Sequence, residues 1–183
     1  SRGNKQYHLP HIEEAVRSMV PEDNHTYLDG EIYIHGETLQ EINRRVKKYR
    51  PGLTEELGYH LYDYYDKENP KFTTNQRLNR LIQLLMQKHI PYHKILQVVD
   101  TKTVKTEEDI DKWQEHFIKQ GYEGAIVRNL EAVYEPGHRS NNLLKVKSFD
   151  DDEYRIIGAE SGTGKYEGCV TWICITPEGK PFN

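Results

Sequence analysis

Leu28-Asp29-Gly30-Glu31-Ile32-Tyr33-Ile34 alternates polar and apolar side chains over seven residues. In an extended chain alternate side chains share a face, so Asp29, Glu31 and Tyr33 lie together, opposite Leu28, Ile32 and Ile34. That predicts a strand with one core face and one acidic face, the pattern of an antiparallel sheet covered on one side. Further strands are predicted around 59–65, 95–99, 123–128 and 142–147. Four amphipathic helices are predicted between them, on Ile12, Ala15, Val16, Met19; on Leu39, Ile42, Val46, Tyr49; on Leu78, Leu81, Ile82, Leu85; and on Ile110, Trp113, Phe117. The last is punctuated by Thr106 with Asp109 at its start and Gly121 at its end. The expected fold class is α+β, largely antiparallel sheets flanked by helices.

Beyond Tyr154 the chain reads as strands joined by the turn-rich stretch Gly158–Gly168. We place a boundary near Phe149, where Asp150, Asp151 and Asp152 make a polar hinge. Because the chain opens at Ser1 and closes at Asn183 inside an apparent strand, the expectation is a fragment.

Of 183 residues, 25 are basic and 29 acidic, a net charge of −4, which excludes a strongly basic nucleic-acid tail. A 36 % hydrophobic content is enough for one packed core. No apolar run reaches the roughly 18 residues of a membrane span, and the first ten residues carry no signal segment, so we read the protein as cytosolic. The two cysteines, Cys169 and Cys174, would face opposite sides of a strand, which disfavours a disulfide, and they make no metal site.

Four strand segments carry chemistry. Glu31 stands on the acidic face of the first. In His60-Leu61-Tyr62-Asp63-Tyr64-Tyr65, strict alternation puts Tyr62 and Tyr64 on one face as an aromatic platform. In Glu123-Gly124-Ala125-Ile126-Val127-Arg128 a carboxylate opens an apolar strand, and a buried carboxylate needs a cation or a metal. In Leu143-Leu144-Lys145-Val146-Lys147 both ammonium groups share one face, where an anion between them relieves their repulsion. Singly, each is explained as readily by packing or by a solvated edge. Together and in this order they supply a ribose acceptor, a stacking surface, a metal-directed carboxylate and phosphate-neutralising cations, the parts of a nucleotide pocket.

Other signals are set aside. Gly162-Thr163-Gly164-Lys165 lacks the first glycine of a phosphate loop, where Ala159 stands, and its Ser or Thr, where Tyr166 stands, so it reads as a hairpin turn. Arg44, Arg45, Lys47, Lys48 and Arg50 form a basic helical cluster that is either a DNA-backbone contact or a solvated face. His8 with His11, and His89 with His93, lack a third ligand and read as surface or satisfied histidines.

With these blocks in hand, the chain resembles the nucleotidyltransferase domain of ATP-dependent DNA ligases. Ser1-Arg2-Gly3-Asn4, Leu28-Asp29-Gly30-Glu31, Tyr62-Asp63, Glu123–Arg128 and Leu144-Lys145-Val146-Lys147 are similar to successive family motifs, and Tyr134–Ser140 to the ligase connection before the last. The resemblance covers 1–149, and 150–183 is similar to the first strands of an oligonucleotide-binding (OB) fold domain. It implies that Glu31 holds the ribose hydroxyl and Tyr62 stacks on adenine. Glu123 directs the divalent metal, Lys145 and Lys147 contact the α-phosphate, and Arg2 and Arg139 grip phosphate of the nucleotide or the nick. The implied cofactors are ATP, held as AMP, and Mg²⁺; the implied activity is sealing of nicks in duplex DNA through enzyme-adenylate and DNA-adenylate intermediates, in replication, repair or recombination. The expected state is a monomer in the cytoplasm of a bacterium or an infected cell, without a membrane partner. The family's adenylated lysine lies in a Lys-x-Asp-Gly motif that does not occur in these 183 residues, so this chain alone is expected not to adenylate itself. RNA ligases or capping enzymes, and a non-catalytic module that binds nucleic-acid ends, are the alternatives.

Overall fold

The computed structural model describes residues 7–20, 25–87, 94–138, 140–146 and 152–183, divided between two compact units, Ser1–Lys147 and Ser148–Asn183. The first unit runs α1 (Pro10–Met19), β1 (Thr26–Tyr33), α2 (Leu39–Lys47), β2 (Gly58–Asp66), α3 (Thr74–Gln87), β3 (Leu96–Val98), α4 (Glu107–Lys119), β4 (Ala125–Arg128) and β5 (Leu143–Val146). Each helix and strand expected in 12–147 is present. Helix starts follow their capping residues: the Thr38 hydroxyl accepts from Glu41 N at 3.3 Å, and the Thr106 hydroxyl from Asp109 N at 3.2 Å. At α3, Thr73 N donates to Gln76 Oε1 at 2.8 Å while Gln76 N donates back to the Thr73 hydroxyl at 3.4 Å, a reciprocal box. Gly121, with φ at 92°, ends α4 in the left-handed region. Tyr49 does not continue α2; its hydroxyl instead donates to Glu55.

β1 pairs with β2 antiparallel and β2 with β3 parallel, while β4 and β5 form a second, antiparallel sheet. The core lies between β2 and the helices. Ala15, Met19, Leu61, Tyr64, Leu81 and Leu96 form one buried cluster, Leu9, Ile12, Ile42, Val46 and Leu57 another, and Val16, Tyr59 and Ile95 touch both.

A register shift in the β1–β2 pair corrects the expected aromatic platform. Asp29 pairs with Asp63 and Gly30 with Leu61, so Tyr62 is the extra residue of a bulge. The bulge reverses the alternation beyond it. Leu61 and Tyr64 both enter the core, at 0 % and 4 % exposure, leaving Tyr62 without Tyr64 beside it. The basic cluster of α2 is also corrected in part: Arg45 is 7 % exposed, its guanidinium held by Glu37 at 2.7 Å and by Glu56.

The second unit is a three-stranded antiparallel sheet of β6 (Arg155–Ser161), β7 (Val170–Ile175) and β8 (Pro181–Phe182). Its β6–β7 connection contains a 3-10 turn at Gly164–Tyr166 and closes with Gly162 N donating to Cys169 O at 2.9 Å, as a hairpin loop does. Cys169 and Cys174 are free. Among the described residues no helix is long and apolar enough to cross a membrane.

Candidate nucleotide site

Three of the predicted site residues sit where strands of the first unit end or distort. Glu31 lies on the exposed face of β1 opposite His60, and its charge contributes to raising the phenols of Tyr33 and Tyr62. The Tyr62 hydroxyl is pushed well above the usual phenol range, first by burial and then by Asp29. The Arg128 guanidinium stands 5.3 Å from the centre of the Tyr62 ring.

Glu123 stands just before β4 and is followed by Gly124 at a φ of 149°. Burial of this carboxylate was the expectation from its apolar strand; its side chain is instead 79 % exposed, because it precedes the paired residues. It faces Lys145 of β5, with Lys145 Nζ 3.7 Å from Glu123 Oε2. The expected carboxylate and lysine therefore meet, one from the segment that leads into β4 and the other from β5. Arg2, Arg139, Lys147, His89 and His93 lie outside the described residues. Of the other histidines, His11 Nε2 is hydrogen-bonded to the Leu57 carbonyl at 2.9 Å, and His8 meets the Tyr49 ring edge-on at 5.2 Å.

Beside Lys145 is a cleft of about 400 Å³ lined by Asp29, Arg128, Tyr134, His138, Asn142 and Lys145 among others. Its floor is a buried ion cluster whose roles the sequence reading did not assign. Asp63, 5 % exposed, accepts from Arg77 Nε on Oδ1 at 2.8 Å and from Arg77 Nη2 on Oδ2 at 3.1 Å, and Arg128 Nη1 shares Oδ2 at 3.3 Å. Arg128 Nη1 also donates to the Tyr62 carbonyl at 2.5 Å, which ties β4 to the bulge. Tyr134 donates to Asp29 Oδ2 at 2.7 Å. One signal was visible in the sequence: Asp63 is a charge inside an aromatic strand, which demands a buried cation.

At the other end of the site Tyr33 joins β1 to the C-terminus of α4. Its ring meets His60 edge-on at 5.0 Å and stacks on Tyr122 at 6.3 Å, and His35 approaches Tyr122 at 4.8 Å. Tyr122 directly precedes Glu123, so these rings fix where that carboxylate leaves the helix. Burial, and then His35, lower the His60 pKa, favouring a neutral ring there.

No group of three or more histidine, cysteine, aspartate or glutamate side chains able to cage a metal occurs among the described residues. Glu123 does not line the cleft but stands beside Lys145, which does. A single exposed carboxylate there fits a Mg²⁺ ion shared with substrate phosphates, since that ion commonly takes one or two protein carboxylates and completes its shell with phosphate and water.

Comparison with known proteins places this geometry in a family. Residues 1–147 match the family described as "ATP dependent DNA ligase domain". The DNA ligase of African swine fever virus is 33 % identical over 164 residues, covering 87 % of this chain and 38 % of the viral protein. A DNA ligase of Haemophilus influenzae is 26 % identical over 143 residues, covering 78 % of this chain and 51 % of that protein. Among solved structures, a Chlorella virus DNA ligase-adenylate superposes with a TM-score of 0.67 at 20 % identity, covering 100 % of this chain and 67 % of that one. A structure from a study of Lig E DNA ligases gives 0.65 at 25 % identity, covering 85 % of this chain and 59 % of the other. These structures agree with the α+β fold expected from the sequence. The chain thus spans well under two thirds of the curated relatives it matches, and with most of its length inside the matching region it belongs to the ATP-dependent DNA ligase domain family.

Proposed function

We propose that this chain is the nucleotide-binding part of an ATP-dependent DNA ligase that seals nicks in duplex DNA. The observation that carries the reading is the meeting of Glu123 and Lys145 at 3.7 Å beside the cleft that Asp29 also lines. Residues 1–149 are the nucleotidyltransferase domain and 150–183 the opening strands of an OB-fold domain. Tyr62 stacks on adenine, Glu31 holds the ribose hydroxyl, and Lys145 with Lys147 neutralises the α-phosphate. Arg2 and Arg139 grip phosphate, for which the guanidinium fork is suited. Glu123 holds Mg²⁺, which supplies charge neutralisation on the phosphoryl group.

In phosphoryl transfer most of the catalysis is placement and electrostatics. Lys145, borne on a paired strand, presents a fixed positive charge to the oxygen on which negative charge accumulates. Its ammonium stands 3.7 Å from Glu123 Oε2, so the two groups assigned to phosphate and metal lie side by side. Partners of the whole protein are ATP and nicked duplex DNA, and it acts as a monomer in the cytoplasm of a bacterium or an infected cell, in replication, repair or recombination.

The test is nick sealing by the full-length protein. Glu123→Ala and Lys145→Ala should each slow sealing of a 5′-phosphorylated nick by roughly 10²–10³-fold, as removal of a directly acting electrostatic group does. Unchanged rates in both refute the assignment. The 183 residues alone, lacking Lys-x-Asp-Gly, should take no acid-stable label from α-labelled ATP and Mg²⁺; a labelled lysine would contradict that part.

A further inference from the structure

Two phenols from distant parts of the chain converge on one carboxylate. Tyr134 donates to Asp29 Oδ2 at 2.7 Å, a charge-assisted bond, and the Tyr62 hydroxyl lies against the same Asp29. The Tyr134 ring is also held on its faces: it stacks on Tyr65 with centroids 5.0 Å apart, and the Arg77 guanidinium stands 5.5 Å from its centre. The segment leading to Tyr134 is fastened to the start of α3, with Thr74 N donating to Ala132 O at 2.8 Å and Asn75 N to Leu130 O at 3.0 Å. Past Tyr134 the same connection lines the cleft with Glu135, His138 and Ser140. Asp29 is on β1, two residues from Glu31 and across the bulge from Tyr62.

We infer that Tyr134 is a positioning residue: its hydroxyl ties the wall of the cleft made by Glu135, His138 and Ser140 to Asp29, fixing that wall against the pocket that holds the nucleotide. This deepens the reading above and rests on it. On that reading the wall takes the nicked duplex, while the groups assigned to ribose, adenine and α-phosphate stand on β1, β2 and β5. Losing the Tyr134 hydroxyl therefore loosens capture of the nick while leaving Asp29, Tyr62 and the other groups assigned to ATP in place. An ordered wall binds without the entropy of ordering a loop at the moment of contact, so the loss falls on binding.

The experiment compares the full-length wild type with Tyr134→Phe, which keeps the ring, its stack on Tyr65 and its contact with Arg77. Two reactions are read: sealing of a 5′-phosphorylated nick, and covalent adenylation by ATP. Tyr134→Phe should raise KM for the nicked duplex about tenfold, the worth of one hydrogen bond to a charged group, with kcat and the adenylation rate within about twofold. Asp29→Asn, which keeps an acceptor but removes its charge, should raise KM by less, and the double variant should do so by less than the product of the two single effects, because both weaken the same bond. An unchanged KM in Tyr134→Phe, or a parallel fall in sealing and adenylation, as a merely structural role would give, overturns the inference. A wild type that takes no adenylate contradicts the ligase reading itself and this inference with it, whereas an active wild type beside an indifferent Tyr134→Phe contradicts this inference alone.

Discussion

Arg128 reaches across from β4 to Asp63 of β2, its Nη1 3.3 Å from Asp63 Oδ2, and so joins the two sheets that frame the cleft. Arg77 completes the cluster from α3, and the side chains of Asp63, Arg77 and Arg128 are 7 %, 5 % and 16 % exposed. Removing the shared carboxylate leaves two guanidiniums in a poorly solvated place without their counter-charge. Asp63→Ala should therefore destabilise the fold by about 3–5 kcal/mol, read as a shift of the urea midpoint. A loss below about 1 kcal/mol would show that water reaches the cluster.

Core packing predicts a sharp contrast between two leucines. Leu61 is 0 % exposed between helices and sheet, so Leu61→Ala should lose about 2–5 kcal/mol. Leu39, 69 % exposed at the start of α2, tolerates Leu39→Gln within about 0.5 kcal/mol. Equal effects on the thermal midpoint would contradict the burial pattern.

Gly30 sits beside the bulge with no room for a side chain. A Cβ there would lie 2.6 Å from His60 O and 2.7 Å from Tyr59 Cε2, and the first of these is backbone that cannot turn away. Gly30→Ala should cost about 2 kcal/mol or more and disturb the β1–β2 register. Amide exchange along 58–66 should quicken in that variant; unaltered protection would mean the strands part without strain.

Alkaline pH should weaken the fold through Tyr59. Burial, with a smaller push from Asp29, raises its hydroxyl to about 12, and the hydroxyl donates to Leu28 O at 2.8 Å. The unfolded chain ionises this phenol near its usual value of about 10, so above that pH the folded state binds more protons and stability falls as pH rises. Its contribution is fully present below about pH 10 and is lost progressively toward about 12, a change on the order of 2–3 kcal/mol. Tyr59→Phe should lose about 1 kcal/mol at neutral pH but flatten part of that decline in urea titrations. A variant with the same alkaline slope as wild type would place the titration elsewhere.

The sequence made most of the framework legible because helical and strand periods survive in it. The apolar sets on Ile12–Met19 and Ile110–Phe117, and the capping pair Thr106 and Asp109, depend only on near neighbours and read correctly. The bulge at Tyr62 did not, since register depends on a partner strand, and one extra residue was enough to carry Tyr64 from the expected platform into the core. The Asp63 cluster was hidden for a similar reason: its partners lie 14 and 65 positions away, and no local pattern encodes that meeting. Arg45 looked like part of a solvated basic face because its acidic partners, Glu37 and Glu56, flank the helix from outside. Of the candidate site, the motif residues Glu31, Tyr62, Glu123 and Lys145 could be named from the sequence, whereas the Asp29–Tyr134 tie that braces them could not.

The central claim is that Glu31, Tyr62, Glu123 and Lys145 surround one AMP-sized space. A crystal structure of the full-length protein bound to AMP tests it most directly. The account predicts the adenine ring on Tyr62, the ribose hydroxyls within hydrogen-bond distance of Glu31 and the phosphate beside Lys145. Adenine seated away from Tyr62, with Glu31 and Lys145 touching no part of the nucleotide, would contradict it.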